Sequence, residues 1–308
     1  MEQNESVLRL LRERLRQGST PGDRGDDARL VLLIEGGSSR GVYSSGMTVA
    51  IEQLGLLPLF DAVYGSSAGA LNGAWLLCGR AGSTIHAWWT PEIMRGTIDV
   101  RRALRRQPVV DTRFLVHTVY TSLMPMGFQE ILASPVEFHP LATDAENGRS
   151  VDLRPTIRDQ ASLQAALRAS TAMPVLAGEP VEIGGRRFVD AGVSEAVPVR
   201  TALADGATHI VALRTRRADE TSAVPGRAER MVLSRWFARR APGASAPWLE
   251  RVAMRAEEER LLAAHPATLQ IRPPLGSARI GRTERRPGPM RAAVDTAIAA
   301  GLQAFGAL

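Results

Sequence analysis

The feature that most limits the fold is a run with no polar side chain, Leu30-Val31-Leu32-Leu33-Ile34, followed after Glu35 by Gly36 and Gly37. A strand with one wet face alternates polar and apolar residues. An unbroken apolar run of strand length therefore describes a strand buried on both faces, as in a parallel sheet. A helical pattern follows over 41–54. Ala62-Val63-Tyr64 is a second short strand, which turns sharply at Gly65 into a helix over 68–79. The same reading predicts strands at 137–143, at 181–183 and 187–189 around the hairpin pair Gly184-Gly185, at 209–213 and at 269–271, with a helix over 160–169. Strands alternating with helices in this way predict an α/β sandwich.

The turn after the second strand carries the first candidate chemistry. Gly65-Ser66-Ser67-Ala68-Gly69 has the form G-x-S-x-G, entered by a strand and left by a helix. Such an elbow lifts the Ser67 hydroxyl to the tip of a sheet, at the positive end of a helix. Gly65 and Gly69 are small enough for backbone to pack against so tight a turn. Plain strand-to-helix loops share the pattern, so its company decides its meaning. One strand–helix unit earlier, Glu35-Gly36-Gly37-Ser38-Ser39-Arg40-Gly41 opens the helix over 41–54. Free N–H groups there suit an anion, either a nucleotide phosphate or the oxyanion of acyl transfer. No Lys-Ser/Thr pair follows and the Rossmann spacing fails at Ser38, so the oxyanion is the better reading. A third motif, Asp190-Ala191-Gly192, sets a carboxylate and small residues at the end of the strand over 187–189.

Ser67 needs a base. A Ser-His-Asp triad would draw on His86, His117, His139, His209 or His265, none of which sits in a recognisable motif, and each reads as structural. If no histidine serves, Asp190 must take the serine proton itself, which a desolvated carboxylate can do near neutral pH.

Composition bounds the setting. The 308 residues are 44% hydrophobic and 23% charged, which suits one large α/β domain or two small ones and excludes disorder. No apolar run approaches the roughly 18 residues of a membrane span. The acidic start, Met1 to Glu5, predicts no secretory signal, and the lone Cys78, expected as a small buried core residue, excludes an internal disulfide or cysteine metal cluster. A cytoplasmic location follows as the expectation, with peripheral contact at the inner membrane face as an extension of it.

All 38 basic residues are arginine, against 32 acidic ones, a net charge of +6. Residues 95–106 hold five arginines and one aspartate; residues 214–260 hold eleven arginines and seven acids. These segments either meet phosphate head groups or nucleic acid, or are solvated helices paired with their own glutamates. Residues 5–17 form an amphipathic helix, with Val7, Leu8, Leu11 and Leu15 on one face, that lies on a membrane or packs on its own domain. The predicted organisation is a helix and linker over 1–28, a catalytic α/β domain over 29–215 with a helical, cap-like insertion at 83–130, and an Arg-rich helical region over 216–308 packed on the same domain.

Taken in order, the glycine loop, the serine elbow and the Asp-small-Gly motif resemble the patatin-like phospholipase family. Ala169-Ser170-Thr171-Ala172-Met173-Pro174 and Phe188-Val189-Asp190-Ala191-Gly192-Val193, followed by Val197-Pro198-Val199, extend the resemblance over about residues 30–215. It implies a three-layer α/β/α sandwich with a mainly parallel central sheet and helical additions at both ends. It also implies hydrolysis of lipid acyl esters through an acyl-Ser67 intermediate, with Ser67 as nucleophile and Asp190 as general base. The oxyanion loop would be Gly36, Gly37, Ser38, Ser39, Arg40 and Gly41, with backbone N–H groups of Gly37, Ser38 and Ser39 as donors and Arg40 pairing with nearby carbonyls or carboxylates. No metal or organic cofactor is implied. Two residues depart from the pattern: Ser38 stands where the family usually has a third glycine, and Ala191 replaces the first glycine after the aspartate. The alternatives are a short-chain carboxylesterase using the same site, or a catalytically weak binding or regulatory protein. Trp88, Trp89, Trp236 and Phe237 beside the basic segments either contact lipid or are partly buried in an ordinary helical cap or subdomain, no nucleic-acid partner is expected, and the oligomeric state is not legible in the sequence.

Overall fold

The computed structural model describes residues 2–220, 226–306 and 308. Met1, residues 221–225 and Ala307, which fall in the predicted end regions 1–28 and 216–308, lie outside the described residues. The strands are β1 (Leu30–Ile34), β2 (Ala62–Ser66), β3 (Glu137–Asp144), β4 (Ser150–Asp152), β5 (Val181–Ile183), β6 (Arg186–Val189), β7 (His209–Leu213) and β8 (Thr268–Ile271). The helices that pack on the sheet are α1 (Glu2–Gln17), α2 (Gly41–Gln53), α3 (Ala68–Leu77), α4 (Gln160–Ser170), the short α5 (Val199–Ala204), α7 (Ser245–Ala264) and α8 (Pro287–Phe305), with α6 (Arg227–Arg240) preceding α7.

The strands form one sheet in the order β5-β6-β3-β2-β1-β7-β8, with β4 paired to β3. The central strands β3, β2, β1, β7 and β8 are parallel, while β4 and β6 run antiparallel to β3. Alternate residues of β1 enter opposite cores, as its continuous apolar run requires. Leu30, Leu32 and Ile34 pack with Met47 of α2 and Val294 of α8; Val31 and Leu33 pack with Val199 and Ala202 of α5 and Leu262 of α7. Each such fully buried side chain contributes about 1.5–3 kcal/mol of transfer free energy. Helices thus cover both faces of a mainly parallel sheet, a three-layer α/β/α arrangement. The strand β4 is not apparent in the sequence, because its three half-buried residues form an edge pairing rather than an apolar run.

The amphipathic face of α1 is covered by the chain itself. Val7 and Leu11 are fully buried, while Leu15 is 46% exposed. Arg14, with no exposed surface, ion-pairs with Asp26 (2.8 Å) and Asp61 (2.9 Å) and donates to the carbonyls of Leu59 and Ala28. That knot clamps the segment expected to be a linker, and most of the apolar face of α1 is packed on its own domain. Residues 81–132 fold into short helical pieces, among them Pro91–Thr97, Val100–Arg105 and Leu115–Leu123. Cys78 is half-buried rather than buried, and its thiol donates to the Trp75 carbonyl. No helix of the described residues is long and apolar enough to cross a membrane.

Candidate active site

The site forms at the carboxyl ends of β1 and β2, where the sheet order reverses: the chain moves from β1 to β2 on one side and later returns to β7 on the other. Ile34 of β1 faces Gly65 of β2 in register, so the loop after β1 lies directly against the elbow after β2. The approach is close enough that a Cβ on Gly36 would lie 2.6 Å from the Ser66 carbonyl oxygen, and one on Gly69 would lie 2.1 Å from that of Ile34. Ser67 sits at the elbow with φ 54° and ψ −123°, a conformation costly for a side-chain-bearing residue. Its N–H donates to Ser170 Oγ (3.0 Å) and its carbonyl accepts from Ala70 N–H (2.9 Å), so neighbours on both sides hold the strained turn.

The Ser67 hydroxyl donates to Asp190 Oδ2 at 2.6 Å, across 123 residues of sequence. Asp190 is held in turn: its N–H donates to the Ala172 carbonyl (2.9 Å), its carbonyl accepts from Thr143 Oγ1 (2.9 Å), and its Oδ1 accepts from Gly192 N–H (2.8 Å). The segment 169–174 therefore has a physical task, since Ser170 fixes the serine and Ala172 fixes the aspartate. Both side chains are nearly buried, at 5% and 6% exposure. Burial pushes the Asp190 pKa up to about 6, against the opposing pull of the Ser67 hydroxyl, the Gly192 N–H, Arg255 and Arg282. No histidine bonds either residue among the described residues. His139 stacks on Tyr64 (4.2 Å between centroids) and bonds Asp152, while His209 and His265 bond Thr208 and Thr268.

Not every N–H of the predicted oxyanion loop is available. Gly36 N–H donates to the Ala196 carbonyl (3.0 Å) and Ser39 N–H to the Arg282 carbonyl (3.3 Å), which leaves Gly37 and Ser38 without acceptors among the described residues. Ser38 has φ 53°, so serine does occupy the left-handed position where the family usually places glycine. Its hydroxyl donates to the Arg282 carbonyl (2.6 Å), as does that of Ser39 (3.0 Å), which recovers part of the strain and turns both hydroxyls to that carbonyl. Ala191, fully buried, has an ordinary negative φ, so the missing glycine there costs no backbone strain. Gly41 lets Ala68 approach, a Cβ there falling 2.6 Å from the Ala68 methyl. Arg40 departs from expectation: its Nε is buried with no acceptor, and no carboxylate of the described residues ion-pairs with it.

Beneath the loop, Glu35 is held by Arg214 Nε (3.0 Å) and Thr215 N–H (2.8 Å), while Thr215 Oγ1 donates to the Gly36 carbonyl (3.1 Å). The predicted segments thus converge, and the chain adds three arginines that sequence reasoning does not single out, Arg251, Arg255 and Arg282. The spacing of Arg251 and Arg255, one helical turn apart, is the available signal. Around Ser67 two spaces meet. An open cleft of about 440 Å³ runs past Arg40, Asp190, Leu233 and the three arginines. A smaller pocket of about 100 Å³ is apolar, lined by Leu71, Trp75, Ile93, Met94, Leu115 and Tyr120.

Residues 32–203, more than half of the chain, match the family model described as patatin-like phospholipase. The chain belongs to the patatin-like phospholipase family. It is 28% identical over 190 residues to an uncharacterized Escherichia coli K12 protein, YjjU, a match over 61% of this chain and 52% of that one. It is 32% identical over 108 residues to a protein of Escherichia coli named cUMP-AMP-activated phospholipase, over 33% of this chain and 34% of the other. The chain thus spans about half the length of the first relative and a third of the second. Among solved structures, VipD from Legionella pneumophila aligns over 92% of this chain and 67% of its own, with a TM-score of 0.48 and 14% identity. Human GIVD cytosolic phospholipase A2, in complex with a fluorophosphonate inhibitor, aligns over 78% of this chain and 48% of its own, with a TM-score of 0.38 and 13% identity.

Proposed function

We propose that this chain is a serine acyl hydrolase that cleaves carboxylic esters of lipids through a Ser67–Asp190 dyad and an acyl-serine intermediate. The observation that carries the reading is the 2.6 Å contact between a nearly buried carboxylate and a serine held at a strained elbow. As Ser67 Oγ attacks the ester carbonyl carbon, Asp190 Oδ2 takes its proton. The carbonyl oxygen, now an oxyanion, faces the free N–H groups of Gly37 and Ser38. Collapse of the tetrahedral species breaks the bond to the alcohol, which leaves with the proton from Asp190. A water, deprotonated by Asp190 in its turn, attacks the acyl carbon and restores Ser67 as the acid departs. The scheme calls for no metal or organic cofactor.

Because the base must be unprotonated, kcat/KM should rise with pH through about 6 and level off above it, the sign set by burial of Asp190. A pH profile on a neutral ester checks this; a profile flat from pH 5 to 8 would remove Asp190 as the base.

The family favours lipid substrates. A second reading, a short-chain carboxylesterase, is favoured by the small volume of the apolar pocket, below the roughly 150 Å³ of an engineered cavity that binds benzene. Rates on p-nitrophenyl esters from acetyl to palmitoyl separate the two: a maximum at long chains supports the lipid reading, a steep fall beyond butyroyl the esterase.

Peripheral contact with an anionic membrane, at the inner face in the cytoplasm, belongs to the same proposal, and the burial of the aromatic residues named from the sequence favours their reading as part of a helical cap. Phe237 is fully buried, and Trp88, Trp89 and Trp236 are half-buried. The exposed apolar residues lie elsewhere. Ile98 and Val110, which line the apolar pocket, pair with each other and close a cap-like loop that presents Leu104, 88% exposed, among exposed Arg101, Arg105 and Arg106. Met231 and Val232 stand exposed on α6 beside the cleft. At about 1 kcal/mol per arginine near an anionic surface, plus insertion of Leu104, Leu104→Asp should weaken co-sedimentation with phosphatidylglycerol vesicles at least about fivefold. Equal binding by variant and wild type would move the contact elsewhere.

A further inference from the structure

The cleft on the open side of Ser67 is lined by Arg40, Arg251, Arg255 and Arg282 and, among the described residues, by only two carboxylates, Asp190 and Glu229. Four guanidinium groups around one cleft repel one another unless an anion lies between them. Neither Arg40 nor Arg255 has an ion-pair partner among the described residues, and Arg40 Nε is buried without an acceptor. Burial, followed by the charge of Arg216, lowers both to about 10, against a weaker opposing pull from Glu35 on both and from Glu258 on Arg255, so both stay charged at neutral pH. Glu229 stands 3.9 Å from both Arg251 and Arg282, too far for a hydrogen bond. Glu35 is taken by Arg214 and Thr215. Glu258 accepts from the N–H groups of Ala196 and Val197, and burial, with the charge of Glu195, pushes it up to about 8. The cleft therefore keeps an excess of positive charge and unused donors. Arg255 and Arg282 also act on Asp190, which places them within electrostatic reach of the reacting ester.

We propose that Arg40, Arg251, Arg255 and Arg282 form a phosphate subsite for the substrate cleaved at Ser67, and that the enzyme selects esters with an anionic headgroup over zwitterionic ones. The proposal rests on the reading of Ser67 above and adds the headgroup class. Planar guanidinium forks match phosphate oxygens in pairs. A choline or ethanolamine headgroup would bring its own cation, which needs an open aromatic face or a carboxylate. The one aromatic face among the described residues of the cleft, that of Trp248, is already covered by the Arg251 guanidinium at 4.2 Å. Apart from the catalytic Asp190, Glu229 is left to receive a cation, in competition with two arginines. A phosphate without a cation meets no such conflict. Arg251, Arg255 and Arg282 all lie beyond residues 32–203, so three of the four guanidinium groups come from the C-terminal part of the chain.

The test uses dihexanoyl phosphatidic acid and dihexanoyl phosphatidylcholine as monomers, so that bulk membrane charge plays no part. The full chain should show kcat/KM at least about tenfold higher on the phosphatidic acid, and Arg255→Gln and Arg282→Gln should each bring that ratio towards one. Inorganic phosphate, the free-ion arm, should compete only at concentrations at least about tenfold above the KM for phosphatidic acid, because it lacks the acyl contacts. A wild-type ratio near one, a ratio unchanged in both folded variants, or inorganic phosphate binding as tightly as the lipid would each overturn the subsite. The reading of Ser67 fails separately, if the wild type cleaves neither lipid nor any p-nitrophenyl ester.

Discussion

Ser67→Ala and Asp190→Asn are each expected to lower ester hydrolysis by about 10³–10⁵-fold, the range seen when one member of a coupled catalytic unit is removed. The two should be strongly non-additive, since a serine without its base and a base without its serine fail at the same step. Their stabilities should part company. Asp190 has its pKa raised from 3.8 to about 6 by burial. Such a group favours the folded state below its unfolded pKa and loses that advantage as pH rises through the folded one. Above pH 6 the wild type therefore carries a buried charge that Asp190→Asn removes. That variant should gain about 1–3 kcal/mol relative to wild type at pH 8 and little at pH 4, read as the change in Tm between the two pH values. A variant equally inactive but less stable at pH 8 would mean that Asp190 serves mainly as a structural cap for Gly192. If no ester of any chain length is hydrolysed above the Ser67→Ala background, with vesicles present, the chain is a binding or regulatory protein on this fold.

Arg214→Leu should cost about 3–5 kcal/mol, the cost of stranding a buried charge. Arg214 and Glu35 are each 2% exposed and bonded at 3.0 Å, with Arg214 also reaching Gln270 (2.6 Å) and Glu259. Burial works to raise the Glu35 pKa, yet Arg214 and the Thr215 N–H hold it below the ordinary carboxylate value. Without Arg214 that balance reverses, so the deficit should shrink as pH falls towards 4 and Glu35 takes a proton. Because Glu35 directly precedes Gly36 and Gly37, activity at temperatures where the variant stays folded should fall as well. Pairing the change with Glu35→Gln should restore much of the stability, which thermal unfolding of the double variant measures. A loss below about 1 kcal/mol in Arg214→Leu would show that Arg216, 3.9 Å from Glu35, suffices as a counter-ion.

Much of the site is legible in the sequence because its conformational demands are local. Ser67 needs small neighbours at Gly65 and Gly69 to reach φ 54°, and the strand that leads into it is buried on both faces. Ser38 shows the limit. Its left-handed backbone can be expected as a cost from the family pattern, but the relief comes from the Arg282 carbonyl, 244 residues away. The pairing expected of Arg40 is absent for a similar reason: the carboxylate that leads into the loop, Glu35, faces Arg214 at the end of β7 instead. Likewise the sequence leaves the aromatic residues near the basic segments open between lipid contact and a helical cap, and only packing shows that Phe237 turns inward against Trp248 while Leu104 stands exposed.

The sequence by itself determined the order of the strands and main helices apart from β4, the elbow at Ser67 and the glycine loop, because each is written in nearest-neighbour chemistry: side-chain alternation, turn residues and small-residue spacing. Asp190 is singled out only by the company of those two motifs and by the family resemblance. Only the tertiary structure decided which loop N–H groups stay free, what holds Glu35, and that Arg251, Arg255 and Arg282 gather beside Ser67. Those contacts depend on β1 pairing with β2 on one side and β7 on the other, and on helices α7 and α8 crossing the sheet afterwards. No local period encodes them, since they are set by where whole layers pack.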